Sequence, residues 1–94
     1  MISKEMINIL VPVLKRYQVT RASVFGSFAT GTEKQDSDLD LRVEFPPGKS
    51  YFDLVELGLE LEAALGRKVD IVTYNTKLHP IVLEGILKEQ VPLF

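Results

Sequence analysis

Apolar residues at Met6, Leu10, Val13, Leu14 and Tyr17 recur at helical spacing behind Ser3, a residue suited to cap a helix, and predict a first helix near the start of the chain. Pro12 falls inside it. A proline there removes a backbone donor and crowds the preceding turn, which predicts a kink or a split. Arg21–Phe25 reads as a short strand that stops at Gly26-Ser27, followed by one helical turn over Phe28–Gly31. The polar run Thr32–Ser37 offers nothing to a core and predicts an exposed loop. From Leu39 the alternation is strict. Leu39, Leu41, Val43 and Phe45 fall on one face of a second strand, with Asp38, Asp40, Arg42 and Glu44 on the other, until Pro46-Pro47-Gly48 ends it.

Ser50 followed by Asp53 has the form of a capping box. The helix it opens runs through Leu65, with Phe52, Leu54, Val55, Leu57, Leu59 and Leu61 on a wide apolar face and Gly66 as its stop. Lys68–Tyr74 alternates again, setting Asp70, Val72 and Tyr74 against Val69, Ile71 and Thr73, and predicts a third strand. Pro80 suits the first turn of a last helix carrying Ile81, Val82, Ile86 and Leu87. The order predicts an α/β (α+β) protein, a small mixed β-sheet with helices packed mainly on one face.

Composition narrows the class. Ninety-four residues make one domain, 1–94, since separate cores arise only at roughly 250 residues or more. The absence of cysteine excludes disulfide scaffolds, thiolate metal sites and cysteine nucleophiles. A net charge of −2 gives no global attraction for nucleic acid or anionic membrane, so neither is expected as a partner. The most apolar run, Met6–Leu14, is interrupted and far shorter than the roughly 20 residues that span a bilayer, and it does not have the form of a signal peptide. The expected location is cytoplasmic, and oligomeric state is left open.

Three strand-borne features carry chemistry: Gly26-Ser27, Asp38-Leu39-Asp40 and Asp70. Carboxylates at i and i+2 of a strand point the same way, with α-carbons about 6.6 Å apart. Held that close, like charges raise one another's pKa unless a cation neutralises them. A hard divalent ion bound through oxygen does so, and Mg²⁺ is commonly held by a few carboxylates plus substrate phosphates. Asp70, flanked by Val69 and Ile71 in an otherwise apolar strand, is expected to be a ligand because an unpaired charge there would be costly. Gly26 would let backbone approach a ligand, and the turn after it would present N–H groups and the Ser27 hydroxyl to phosphate.

The run Gly26-Ser27, ten intervening residues, then Asp38-Leu39-Asp40 resembles the signature of the polymerase-beta-type nucleotidyltransferase superfamily. The short chain is similar to the minimal nucleotidyltransferases, the antitoxin half of HEPN/MNT toxin–antitoxin pairs. The resemblance implies the nucleotidyltransferase fold and transfer of AMP from Mg-ATP to an acceptor, with release of pyrophosphate. It assigns Asp38, Asp40 and Asp70 to catalysis and to one or two Mg²⁺ ions. Asp70 would ligate the ion facing the acceptor hydroxyl, and Gly26 and Ser27 would hold the triphosphate. The implied acceptor is a tyrosine of a HEPN RNase toxin, silenced by the modification. Many such antitoxins have Arg where this chain has Thr30, which leaves open an alternative, an antitoxin that neutralises its partner by binding alone.

Blander readings compete residue by residue. His79 before Pro80 suits a helix cap. Tyr51 and Tyr74 suit packing or a rim, although Tyr74 shares a strand face with Asp70. Asp53, Glu56, Glu60 and Glu62 suit a solvated helix face or, more sharply, a surface for a basic partner.

Overall fold

The Ser3 hydroxyl accepts the Met6 N–H at 3.2 Å and so satisfies one of the donors that every helix start leaves unpaired. In the computed structural model, which describes residues 1–75 and 77–94, helix α1 runs from this cap over Lys4–Arg16. Pro12 does not split it. Both Pro12 and Asn8, whose carbonyl loses its partner, lie on the exposed side, where water replaces the missing bond. Next come β1 (Arg21–Phe25), α2 (Ser27–Thr30), β2 (Leu39–Glu44), α3 (Tyr51–Leu65), β3 (Val69–Thr73), α4 (Pro80–Glu89) and β4 (Val91–Pro92). The two-residue β4 was not expected from the sequence, since it is too short to show alternation.

The four strands form one mixed sheet in the order β3-β2-β1-β4. β2 runs antiparallel to β1 and parallel to β3. Ala22 and Val24 of β1 pair with Val43 and Leu41 of β2, and Leu39 and Leu41 pair with Val69 and Ile71 of β3. One face of the sheet is therefore continuously apolar. Helices α1 and α3 pack on it, bringing Leu10, Val13, Leu14, Leu57 and Leu61 against Ala22, Val24, Leu39, Leu41 and Val43. Burying each such aliphatic side chain contributes roughly 1.5–3 kcal/mol, and this layer holds the fold together.

The apolar helix faces are only partly used. On α3, Leu57 and Leu61 are buried, while Phe52, Val55 and Leu59 are exposed; on α4, Ile86 is buried, while Ile81, Val82 and Leu87 are exposed. A wide stripe meets a sheet of only four short strands, and the outer half of each stripe has nothing to cover it. The acidic residues of α3 are largely spoken for within the chain. Arg16 pairs with Glu60, and the Glu62 carboxylate accepts the Val69 N–H at 3.0 Å. His79 caps α4, its Nδ1 accepting the Ile81 N–H at 3.2 Å.

Asp53 closes the start of α3, accepting the Ser50 N–H at 2.7 Å and the Ser50 hydroxyl at 3.1 Å. The hydrogen bond from the Ser50 backbone holds its pKa below the usual carboxylate value. A lowered carboxylate pKa adds stability above the unfolded value near 4, which is lost as the pH falls through the folded value. Asp53→Asn is expected to lower Tm by roughly 2–5 °C at pH 7. The difference should shrink as the pH falls through the lowered folded value, below which both chains carry a neutral group. Differential scanning calorimetry across that range checks both points.

Candidate active site

The sheet's second face is open, and the register of its strands decides what stands on it. Pairing Leu39 with Val69 on the core side sets Asp40 directly beside Asp70 on the open side. Asp38 lies just before β2 and reaches the same place. Lys68, ahead of β3, has Nζ 3.9 Å from Asp38 Oδ2 and 3.9 Å from Asp70 Oδ1. The three sequence-selected acids therefore share one neighbourhood. Asp70 is 49% exposed, so the cost of burial that singled it out does not exist. β3 is an edge strand whose outer face meets solvent, and what marks Asp70 is its neighbours.

Asp40 is perturbed by its surroundings. Partial burial pushes its carboxyl above the usual value, the charges of Asp70 and Asp38 push it further, and Lys68 pulls it back. Gly26 explains the crowding. It adopts φ 71°, and a Cβ placed on it would lie 2.4 Å from Asp40 Oδ2. Only glycine satisfies both constraints, so the backbone of Gly26-Ser27 sits directly against the acid cluster. Ser27 opens α2, which Phe28 and Ala29 anchor in the core.

Arg67 supports the loop that delivers Asp38. Its Nη1 donates to the Ser37 carbonyl at 2.7 Å, and its guanidinium lies 5.0 Å from the Phe28 ring centre, tying the loop to α2. The sequence reading did not select Arg67 or Lys68. Lys68 was legible as the residue two before Asp70, on the same strand face. Thr30 stays close to its own helix, its hydroxyl 3.3 Å from the Gly26 carbonyl and 2.9 Å from the Thr32 hydroxyl. It supplies no cation to the site. Tyr74 turns away from the acids, its hydroxyl 2.9 Å from Ser23 Oγ. A cavity of about 640 Å³ lies at the opposite ends of β2 and β3, among Phe45, Pro47, Tyr51 and Tyr74.

The donor set suits a hard divalent cation: all three side chains offer oxygen, and like charge raises Asp40 until a cation relieves it. Among the described residues no three acids are closed around a single point, and an ammonium stands between two of them. At rest Lys68 supplies part of the neutralising charge. An acid whose folded pKa is raised costs stability above that value, so Asp40→Asn removes a cost at pH 7. We expect Asp40→Asn to raise the Tm of the metal-free protein by about 1–3 °C, and millimolar Mg²⁺ to stabilise only the parent chain. Gly26→Ala should lower Tm and weaken nucleotide binding at least about tenfold, through the strained φ and the displaced Asp40. Thermal melts with and without Mg²⁺, and calorimetric titration with AMP-PNP, measure these effects.

Comparison with known proteins identifies the chain's relatives. The sequence profile of the family described as polymerase beta, nucleotidyltransferase, matches residues 8–94. A candidate protein adenylyltransferase of Methanocaldococcus jannaschii is 49% identical over 82 residues, covering 87% of this chain and 87% of the relative. The protein adenylyltransferase MntA of Thermococcus cleftensis is 38% identical over 77 residues, covering 82% and 77%. Among solved structures, a candidate minimal nucleotidyltransferase superposes with a TM-score of 0.79 at 38% identity, covering 95% of this chain and 90% of that one. A toxin–antitoxin complex with AMP-PNP gives a TM-score of 0.80 at 22% identity, covering 94% and 72%, which bears on the fold. A family match over nearly the whole chain joins an acid cluster set against a Gly-Ser turn, and this chain belongs to the polymerase-beta nucleotidyltransferase family, among its minimal members, as an enzyme of the protein adenylyltransferase kind.

Proposed function

We propose that the chain transfers AMP from Mg-ATP to a hydroxyl of a partner protein, a tyrosine of a HEPN RNase toxin, and so acts as its antitoxin. The observation that carries this reading is the juxtaposition of Asp38, Asp40 and Asp70 with the Gly26-Ser27 turn on an open sheet face. In support, relatives of similar length are named protein adenylyltransferases, and one similar fold occurs in a complex of an MNT antitoxin with a tri-AMPylated HEPN toxin.

In this reading Gly26 and Ser27 receive the triphosphate, the glycine by close backbone approach and the serine through its hydroxyl. Asp38 and Asp40 hold Mg²⁺ together with the phosphates, and Asp70 holds the side that faces the acceptor. Bound there, Mg²⁺ neutralises the phosphates and favours in-line displacement of pyrophosphate by the acceptor oxygen. Asp70, exposed and flanked by Lys68, would help take the hydroxyl proton. Lys68, which reaches both Asp38 and Asp70, would add a further positive charge near the phosphates. The acids stand on an open sheet face, which leaves the acceptor to complete the site. No helix among the described residues is long and apolar enough to cross a membrane.

Incubation with ATP, Mg²⁺ and a purified HEPN toxin from the same genome should add one or more AMP units to the toxin, seen by intact mass spectrometry. Asp40→Asn should reduce the rate at least about a thousandfold while the protein stays folded. A toxin of unchanged mass, with no AMP-PNP binding by the chain, contradicts the reading. Protection from the toxin by the Asp38/Asp40 double variant identifies neutralisation by binding instead.

A further inference from the structure

The open face carries a second polar pocket, one strand step from the acids. Arg42 stands two residues beyond Asp40 on the same face of β2, about 6.6 Å along the strand. It is 7% exposed, and its Nε–H is buried with no hydrogen-bond partner. It lines a cavity of about 370 Å³ between the sheet and the end of α4, together with Arg21, Ser23, Tyr74 and Gln90. The guanidinium carbons of Arg21 and Arg42 lie 3.9 and 4.3 Å from the Tyr74 ring centre. The ring thereby fixes both cations. Gln90 Oε1 is also buried without a partner.

A buried arginine that leaves a donor unpaired is costly, and the cost is relieved by a ligand matching its fork of N–H groups. One water, occupying roughly 30 Å³, would fill only a small part of this cavity. Every polar group here is able to donate. Arg42 does so unconditionally, Arg21 does so while its Nη2 also reaches Glu44 Oε2 at 3.4 Å, and one hydroxyl of the Ser23–Tyr74 pair has a proton to spare. Gln90 donates once its amide is turned over, an orientation fixed only by its partners. Among the described residues no Asp or Glu side chain lines the cavity, and Glu44 reaches its lining only at Arg21. Such a set selects an oxyanion.

Its position says whose oxyanion. Gly26-Ser27 meet Asp40 from the end of β1, whereas Arg21 and Ser23 lie toward the start of that strand, on the other side of Asp40. In-line displacement puts leaving pyrophosphate and entering hydroxyl on opposite sides of the reacting phosphorus. We propose that the Arg42 pocket is an acceptor subsite that binds an oxyanion beside the hydroxyl receiving AMP. It rests on the reading that the acceptor is a protein. The oxyanion is either an Asp or Glu carboxylate of the acceptor or the phosphodiester left by an earlier transfer.

The test is an NMR titration of the intact chain, following the Arg42 Nε–H resonance. Acetate probes for a carboxylate and dimethyl phosphate for a phosphodiester. At least one should move the resonance saturably, with a midpoint on the order of 10 mM, and the tighter probe identifies the source. If neither moves it while AMP-PNP with Mg²⁺ shifts Gly26 and Ser27, the subsite is overturned and the nucleotidyl-transfer reading stands. If AMP-PNP alone moves it, the pocket belongs to the nucleotide and the subsite is equally overturned. Loss of the Gly26 and Ser27 shifts counts against the transfer reading itself. With acceptor protein, Arg42→Gln should raise KM for the acceptor about tenfold and leave AMP-PNP affinity within about twofold. Should that variant fail to fold, the titration of the parent chain still decides.

Discussion

The parallel pairing of β2 with β3 is the constraint on which the rest depends. Leu39 and Leu41 must face α1 and α3 opposite Val69 and Ile71, and the two-residue period then forces Asp40 and Asp70 side by side. A slip of one residue would bury the acids and expose the leucines. Two unit charges about 4 Å apart in a well-solvated site repel by only about 1–4 kcal/mol. The buried aliphatic residues of the same strands contribute several times that. The sheet can therefore hold a like-charge pair that local electrostatics opposes, and Lys68 offsets part of the cost.

The two faces of the sheet divide the labour. One is closed by α1 and α3, is apolar throughout and fixes the strand register. The other is left open except where α4 approaches, and it carries both the acid cluster and the arginine pocket. β2 supplies a residue to each, Asp40 and Arg42, at consecutive outward positions. The central strand thus sets a negative centre, suited to a cation and phosphates, next to a positive one, suited to an anion.

Much of this was legible in the sequence. Strict alternation from Leu39 to Glu44 gave β2 its faces, and capping at Ser3 and Ser50 marked two helix starts that the structure reproduces. The Gly-Ser and Asp-x-Asp spacing selected residues that the fold brings together. Other features depend on neighbours that no local pattern reveals. Asp70 was selected on a supposed burial that an edge strand does not impose. Arg42 appeared to be one more polar-face residue, yet Tyr74 and α4 cover it. Pro12 predicted a break that its exposed position makes unnecessary. The helix stripes promised more core than a four-stranded sheet can cover.

That the fold builds one metal and triphosphate site from Asp38, Asp40, Asp70 and the Gly26-Ser27 turn is tested most directly by paramagnetic broadening. Mn²⁺ added with AMP-PNP should selectively broaden the amide resonances of Gly26, Ser27, Asp38, Asp40 and Asp70. Broadening centred elsewhere on the sheet, or none at saturating nucleotide, would contradict it.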